Sequence, residues 1–328
     1  MTQSPELAGG RDGQGGPDVS VVICTYNRAR LLRQTLEQLS RMRLPADLRW
    51  ELIVIDNNSS DDTAIAPAEF VDRLPVRVVS EPRQGKTWAL NRSLTEAAAD
   101  LIVWTDDDVL VDQDWLGAFL MAARRFPDAA VFGGPIAPWF PEPPDPVLLE
   151  AFPVVRGGFC GVDYQLAEGV IQEPYRVHGA NMACRRSRIG SASYNVTLGP
   201  SGTQWMGNDD TTFVEAARAE GGSVVWVPGM SVSHYVDPAR LEIGYLRSFY
   251  RGVGLTWIRD DGPPAGRRMF GAPLWLWRKY LTHAAAYAAM RPFSRLRGWT
   301  HLREFARYGG AIKASREFAS GSNSGAGN

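Results

Sequence analysis

Short, β-branched apolar runs recur through the first third of the chain, at Val19 to Thr25, Glu51 to Asp56, Val76 to Ser80 and Asp100 to Thr105. Near-continuous runs of this kind belong to strands buried on both faces, as in a parallel sheet. Between them the spacing of Leu32, Leu36 and Leu39, and later of Trp88 and Leu94 with Ala97 and Ala98, predicts amphipathic helices. The alternation therefore predicts βαβ units and a mostly parallel sheet with helices on both faces. In such sheets ligands sit beyond the carboxyl ends of the strands. Thr25-Tyr26-Asn27, Asp56-Asn57-Asn58 and Asp106-Asp107-Asp108 all fall there.

Farther along, Trp115, Leu116, Phe119, Leu120 and Ala123 predict a helix, and Ala130 to Phe132 a strand. Pro135 to Pro146 is rich in proline and predicts an irregular loop, suited to the wall of a cleft. The segment Arg176 to Arg186 returns to the sheet. A helix carrying Phe213, Ala216 and Ala217 ends at Gly221 and Gly222, and the strand Ser223 to Val227 leads through Pro228 to His234. Beyond Tyr235 the pattern is helical.

Charge adds an asymmetry that the near-zero total conceals. The chain holds 35 Lys plus Arg and 36 Asp plus Glu, yet basic side chains far outnumber acidic ones from Arg240 onward. There Arg247, Arg251, Arg278 and Lys279 alternate with Tyr245, Phe249, Tyr250, Trp257, Trp275, Trp277 and Tyr280. Such a mixture suits either packing on an acidic body or contact with an anionic membrane surface, and less well a nucleic acid. Residues 1–17 are polar and glycine-rich, with no apolar stretch of the kind a signal peptide needs, and are expected to be a disordered leader. The apolar stretch Met269 to Met290 is interrupted by Arg278, Lys279 and His283, so no transmembrane helix is expected. The 3 cysteines, Cys24, Cys160 and Cys184, are few and widely spaced, which fits a reducing cytoplasm better than a disulfide framework or a zinc site. The expected location is cytoplasmic, with room for a peripheral place at the inner face of the cell membrane. No P-loop and no strand-associated G-x-G-x-x-G is present, which argues against an ATPase or a dehydrogenase.

The acidic triplet after Thr105 carries the first chemistry. Three adjacent carboxylates repel one another, and a hard divalent cation, Mg2+ or Mn2+, would relieve them with room left for a diphosphate. In extended backbone Asp106 and Asp108 share a face while Asp107 points away. By that logic Asp107 is the one expected to tolerate replacement best. An acidic turn capping the next helix is the plainer alternative for the triplet taken alone.

The order of motifs from Val19 to Tyr235 resembles the family 2 glycosyltransferases with the GT-A fold. The segment Val21 to Arg28 looks like that family's opening strand and turn, and Ile53 to Thr63 like its second-strand motif. Arg83-Gln-Gly85-Lys86 with Asn91 resembles the segment lining the nucleotide and diphosphate, and Asp106 to Asp108 stands where the family carries its D-x-D. Gly179-Ala180-Asn181 and then Asp209-Asp210-Thr211 resemble its acceptor-side motifs. The resemblance implies a GT-A α/β domain over 18–235 and leaves 236–328 as a basic helical extension. It implies an inverting hexosyltransferase using a UDP- or dTDP-linked sugar, an acceptor hydroxyl on a glycan or lipid-linked molecule, and Mn2+ or Mg2+.

Residue by residue, the resemblance places the donor against Thr25, Tyr26, Asn27, Arg28, Asp56, Asn58, Arg83, Gly85, Lys86, Asn91, Asp106 and Asp107. Asp56 would accept the N–H of the base, and Asp106 would meet a ribose hydroxyl or the metal. Asp108 and His234 are the further metal ligands. Gly179, Ala180, Asn181, Trp205 and Asp209 fall on the acceptor side, and Asp210 is the base that takes the acceptor's proton. The family often shows Glu-Asp where this chain has Asp209-Asp210. A sugar-1-phosphate nucleotidyltransferase would share the sheet and the metal but would want a glycine-rich basic loop after the first strand, and Thr25 to Arg28 is not one. A sugar-nucleotide or glycan-binding protein without turnover is the non-enzymatic alternative.

Overall fold

The computed structural model describes residues 15–196, 209–290 and 292–321. The first apolar run forms β1 (Val19–Thr25), followed by α1 (Ala29–Leu39), β2 (Trp50–Asp56), β3 (Val76–Ser80), α2 (Lys86–Glu96) and β4 (Leu101–Asp106). The chain continues through β5 (Val109–Val111), α3 (Trp115–Arg125), β6 (Ala129–Gly133), β7 (Ile136–Trp139), α4 (Pro146–Val155), β8 (Gly169–Ile171) and β9 (Asn181–Arg185). After these come α5 (Asp209–Ala219), β10 (Ser223–Trp226) and β11 (Val232–Tyr235), then three long helices, α6 (Ile243–Asp261), α7 (Leu274–Met290) and α8 (Arg295–Gly321).

Eight strands make the main sheet in the order β3-β2-β1-β4-β9-β6-β10-β8. Strands β3, β2, β1 and β4 are mutually parallel, and β9 enters antiparallel between β4 and β6. Register brings the carboxyl ends of the parallel strands level, with Thr25 beside Asp56 and Cys24 beside Asp106. Leu32, Leu36 and Leu39 of α1 bury one sheet face together with Trp115, Leu116 and Phe119 of α3. On the other face Ala89 and Leu90 of α2 meet Phe213, Val214 and Ala217 of α5. Val19, Val21, Val22 and Ile23 of β1 are fully buried in the two clusters, and the polar residues of the run are the buried Ser20, bonded to Glu51, and Thr25 at its carboxyl end.

The proline-rich segment departs from expectation. Its Ile136–Trp139 portion is a strand, β7, paired with β11 in a small sheet of order β5-β11-β7. Pro138 is tolerated because β7 lies on the edge, where a missing N–H breaks no ladder. The pairing matters for the site, since β11 also runs against β5 with His234 opposite Val109.

The C-terminal helices have cores of their own. Leu246 and Tyr250 of α6 join Leu148, Ala151 and Val155 of α4 and Ala306 of α8. Ile258, Leu276, Ala311 and Ile312 form a second cluster among α6, α7 and α8. The sequence left packing and membrane contact open for this region, and much of its aromatic content is packed internally, with Trp257, Trp275, Trp277 and Tyr280 lying against that second cluster. Among the described residues no helix is long and apolar enough to cross a membrane.

Candidate active site

The triplet after β4 is built by two tight constraints on backbone. Thr35 Oγ1 of α1 donates to the carbonyl of Asp107 at 3.0 Å, and the N–H of Tyr235 donates to the carbonyl of Asp108 at 2.8 Å. The antiparallel pairing of β11 with β5 therefore carries His234 to the acidic side chains, although more than a hundred residues separate them in sequence. One atom each from Asp106, Asp108 and His234 lies within 4.8 Å of the others. His234 Nε2 stands 3.6 Å from Asp106 Oδ2 and 3.4 Å from Asp108 Oδ1. Its Nδ1 donates to the carbonyl of Tyr235 at 2.9 Å, an arrangement that turns Nε2 toward the carboxylates.

These residues fit a divalent cation. Two carboxylates and an imidazole form a hard, oxygen-rich donor set of the kind Mn2+ or Mg2+ takes. Asp108 Oδ1 is buried with no hydrogen-bond partner, a cost that coordination would remove. Burial opposes a charge on His234, yet Asp106 and Asp108 raise its imidazole to about 10, so a proton and a metal compete for one place.

Two cations close the other side. Lys86 Nζ pairs with Asp106 Oδ1 at 2.7 Å, and Arg28 Nη1 reaches Asp107 Oδ1 at 3.0 Å and Asp108 Oδ2 at 2.5 Å. Burial works against the charge on Asp106, but Lys86 and His234 hold its carboxyl well below the usual carboxylate range. Lys86 occupies the first turn of α2, where the helix dipole disfavours a cation. Its pairing with Asp106 offsets that cost. Gly85 precedes it at φ 133°, a conformation that favours glycine.

The donor-side residues fall into two groups. Thr25, Tyr26, Asn27, Arg28, Asp56 and Asn58 line the ends of β1 and β2 as expected. Asn27 and Asn58 take left-handed backbone at φ 50° and 65°, and Asn27 Oδ1 accepts from the N–H of Ser60, lacing the two turns together. Asp56 is buried and its Oδ1 has no partner, so it offers an acceptor at the floor of the site. Arg83 and Asn91 are engaged by other partners. Arg83 is clamped bidentately by the buried Glu81 and lies over the Trp88 ring at 4.1 Å, so its charge is already balanced. Asn91 spends its amide on the backbone of Tyr194, donating to its carbonyl and accepting from its N–H.

Asp107 is also unlike its expectation. It is buried, takes the Thr25 hydroxyl at 2.6 Å and Arg28 as described, and is no spectator. Burial and the neighbouring Asp108 push its carboxyl up to about 6 against the opposing pull of Arg28. Asn57, passed over as a site residue, holds the Glu81-to-Gly85 loop by donating to the carbonyls of Glu81 and Arg83 and accepting from the N–H of Gly85. Its place in the Asp-Asn-Asn run at a strand end was the available signal.

On the acceptor side, α5 begins at Asp209 and delivers Asp210 to Gly179, whose N–H donates to Asp210 Oδ2 at 2.8 Å. Asp210 Oδ1 is buried without a partner. Burial pushes this carboxyl up, and it stands near enough to Lys86 and Asp106 to feel both charges. Ala180 is buried beside it, its carbonyl taking the Thr105 hydroxyl. Asn181, expected on the acceptor side, is fully buried, accepts from Trp115 Nε1, and donates to the carbonyls of Pro135 and Met230. Trp205 lies outside the described residues.

Residues 20–142 match the family model described as glycosyl transferase family 2. A validoxylamine A glucosyltransferase of Streptomyces hygroscopicus is 33% identical over 142 residues, which is 42% of this chain and 33% of that protein. The chain thus spans about a third of the length of that relative. Among solved structures, a mannosyltransferase of Pyrobaculum calidifontis in complex with GDP-Man and Mn2+ superposes with TM-score 0.58 at 18% identity, covering 95% of this chain and 90% of that one. The S. aureus TarS fragment 1-349 in complex with UDP-GlcNAc gives 0.52 at 12% identity, covering 93% of this chain and 92% of that one. At these identities the likeness shows the shared GT-A fold.

Proposed function

Because residues 20–142 carry a glycosyl transferase family 2 domain on a GT-A fold, we propose that the protein transfers a sugar from a nucleoside diphosphate to an acceptor hydroxyl, with inversion and with a divalent metal. The observation that carries this reading is the gathering of Asp106, Asp108 and His234 beside Lys86 and Arg28, with Asp210 close by. Both relatives with bound donors are complexes of nucleoside diphosphate sugars, GDP-Man and UDP-GlcNAc.

Asp56, with its free Oδ1, accepts an N–H from the base. Uracil, thymine and guanine each present such a donor, so this contact selects a class and leaves the nucleotide open. Asp106, Asp108 and His234 hold Mn2+ or Mg2+, which when bound supplies Lewis-acid neutralisation of the diphosphate. Lys86 and Arg28 contribute fixed positive charge toward the same oxygens. Asp210 removes the proton of the acceptor hydroxyl as its oxygen bonds to the anomeric carbon and the nucleoside diphosphate departs from the opposite face. The raised carboxyl of Asp210 suits a base, since a more basic carboxylate has the greater proton affinity. The Gly179 N–H fixes one oxygen and leaves the other for the hydroxyl.

Thermal shift of the full chain with UDP-, dTDP- and GDP-sugars, each with and without Mn2+, tests the scheme. A nucleotide sugar at a hundredfold excess over Kd should stabilise by about 2.7 kcal/mol, and only with metal. Stabilisation indifferent both to Mn2+ and to Asp108→Asn would defeat the reading.

A further inference from the structure

Arginines over the sheet-bearing half mostly face carboxylates, as Arg33 does Glu69, Arg43 Asp114, Arg77 Glu51, Arg125 Glu168 and Arg188 Asp128. The crossing of α6 and α8 is different. Gly254 sits against the carbonyl of Arg307, and Gly310 against that of Arg251, so that a Cβ at either would overlap backbone. The two helices therefore touch through glycine, and side chains flanking the contact rim one recess of about 550 Å3. Arg247 and Arg251, one turn apart on α6, face Lys313 and Arg316 of α8 across it.

Among the described residues Arg247, Arg251 and Arg316 form no ion pair. Glu317, the one carboxylate at the rim among the described residues, is shared by Arg259 at 3.5 Å and Lys313 at 3.7 Å. The inner wall is aromatic, from Trp277 and Tyr280 of α7 and Phe305 of α8, and the Arg247 guanidinium lies 5.5 Å over the Phe305 ring. Gly309 leaves room for the Tyr280 ring, which a Cβ would crowd at 3.2 Å. None of these residues belongs to the carboxylate centre.

We propose that this recess binds the phosphate or diphosphate group of a phosphorylated ligand whose apolar or ring-bearing part rests on Trp277, Tyr280 and Phe305. Three guanidinium forks without carboxylate partners, beside an ammonium that shares Glu317 with Arg259, repel one another, and a multivalent anion relieves them at once. Planar guanidinium groups match the paired oxygens of a phosphate, and the ammonium adds a point charge. The volume is that of a small-molecule site. The same chemistry is presented by a soluble phosphorylated compound and by a lipid with a terminal phosphate. Binding here needs neither metal nor donor, so it stands apart from the transferase reading.

The test uses the full chain in EDTA, without nucleotide sugar. Inorganic pyrophosphate is titrated calorimetrically, and in parallel the protein is floated with phosphatidylcholine vesicles containing phosphatidic acid, or containing phosphatidylserine at equal charge. Binding of pyrophosphate assigns a soluble ligand; preferential flotation with phosphatidic acid assigns a lipid phosphate. In either arm Arg251→Ala with Arg316→Ala should weaken binding at least about tenfold, and Arg251→Lys with Arg316→Lys by less. The single change Arg247→Gln, on an exposed side chain, should weaken it measurably while the thermal midpoint stays unchanged. Absence of binding in both arms, equal retention by the two anionic lipids without pyrophosphate binding, or affinity that all of these variants leave within twofold of wild type would overturn the proposal.

Discussion

Gly179 and Asp210 are matched to each other: the glycine N–H donates to one carboxylate oxygen at 2.8 Å, and a Cβ on residue 179 would overlap the carboxyl group. The glycine is thus required by close approach of a side chain. Gly179→Ala should push Asp210 out of position, and the expected loss in kcat is about tenfold to a hundredfold, since a misplaced group forfeits much of its orientation. Donor affinity should hold, because the close contact of Gly179 is with Asp210 and not with the β1 and β2 turns. Steady-state kinetics with the donor identified by thermal shift would check this; an unchanged kcat would remove Asp210 from the chemistry.

Asp210→Asn makes a sharper case, because activity and stability should move in opposite directions. As a general base Asp210 is worth about 10²–10⁴ in rate, and the amide keeps an oxygen for the Gly179 N–H while losing the proton affinity. Burial raises the Asp210 carboxyl. A carboxyl whose folded pKa lies above its unfolded value binds more protons in the folded state, so its contribution to stability falls as pH rises through that window. The metal-free Asn variant should therefore melt above wild type at neutral pH and lose that advantage in acid. The wild-type rate should decline on the acid side at a pH above the ordinary Asp value of about 4. A variant that melts below wild type at pH 7 while keeping its rate would contradict both halves.

The parallel strands and their carboxyl-end residues were legible because a doubly buried strand has to be apolar throughout, as Val21 to Ile23 and Leu52 to Ile55 are. Strand β7 was not, because Pro138 argues against a strand until its edge position is known. The antiparallel insertion of β9 was equally hidden, since direction leaves no mark on Asn181 to Arg185. Asp106, Asp108 and His234 could be named individually, but only the β5–β11 pairing brings them together. Alternation tells only part of the story for Asp107. Strict period-two logic sends it away from its neighbours, and it does point elsewhere, into a buried pocket closed by Thr25 and Arg28 rather than into solvent.

Asp107→Ala should accordingly cost stability. It would leave the Thr25 hydroxyl without its buried acceptor and release Arg28 from one of two carboxylates, a loss of about 1–3 kcal/mol for stranded polar groups. Asp107→Asn should cost less, because it keeps an acceptor and removes a carboxylate already pushed up to about 6 by burial and by Asp108. Urea denaturation of the two variants gives the comparison. Equal stability of wild type and the Ala variant would restore Asp107 to the replaceable position first expected of it.

Asn181→Leu separates a core role from an acceptor contact. Its amide satisfies Trp115 Nε1 and the carbonyls of Pro135 and Met230, which tie α3, the turn before β7 and the turn before β11 to β9. Leucine keeps the branched skeleton but offers no polar atom, which strands Trp115 Nε1 and the Met230 carbonyl inside the protein, while the Pro135 carbonyl keeps the N–H of Val232. The expected destabilisation is about 2 kcal/mol or more, at roughly 1 kcal/mol or more for each of the two stranded groups. KM for the acceptor, measured on the folded fraction well below the melting midpoint, should change by less than about threefold. A variant with wild-type stability and a greatly raised acceptor KM would return Asn181 to the substrate side of the site.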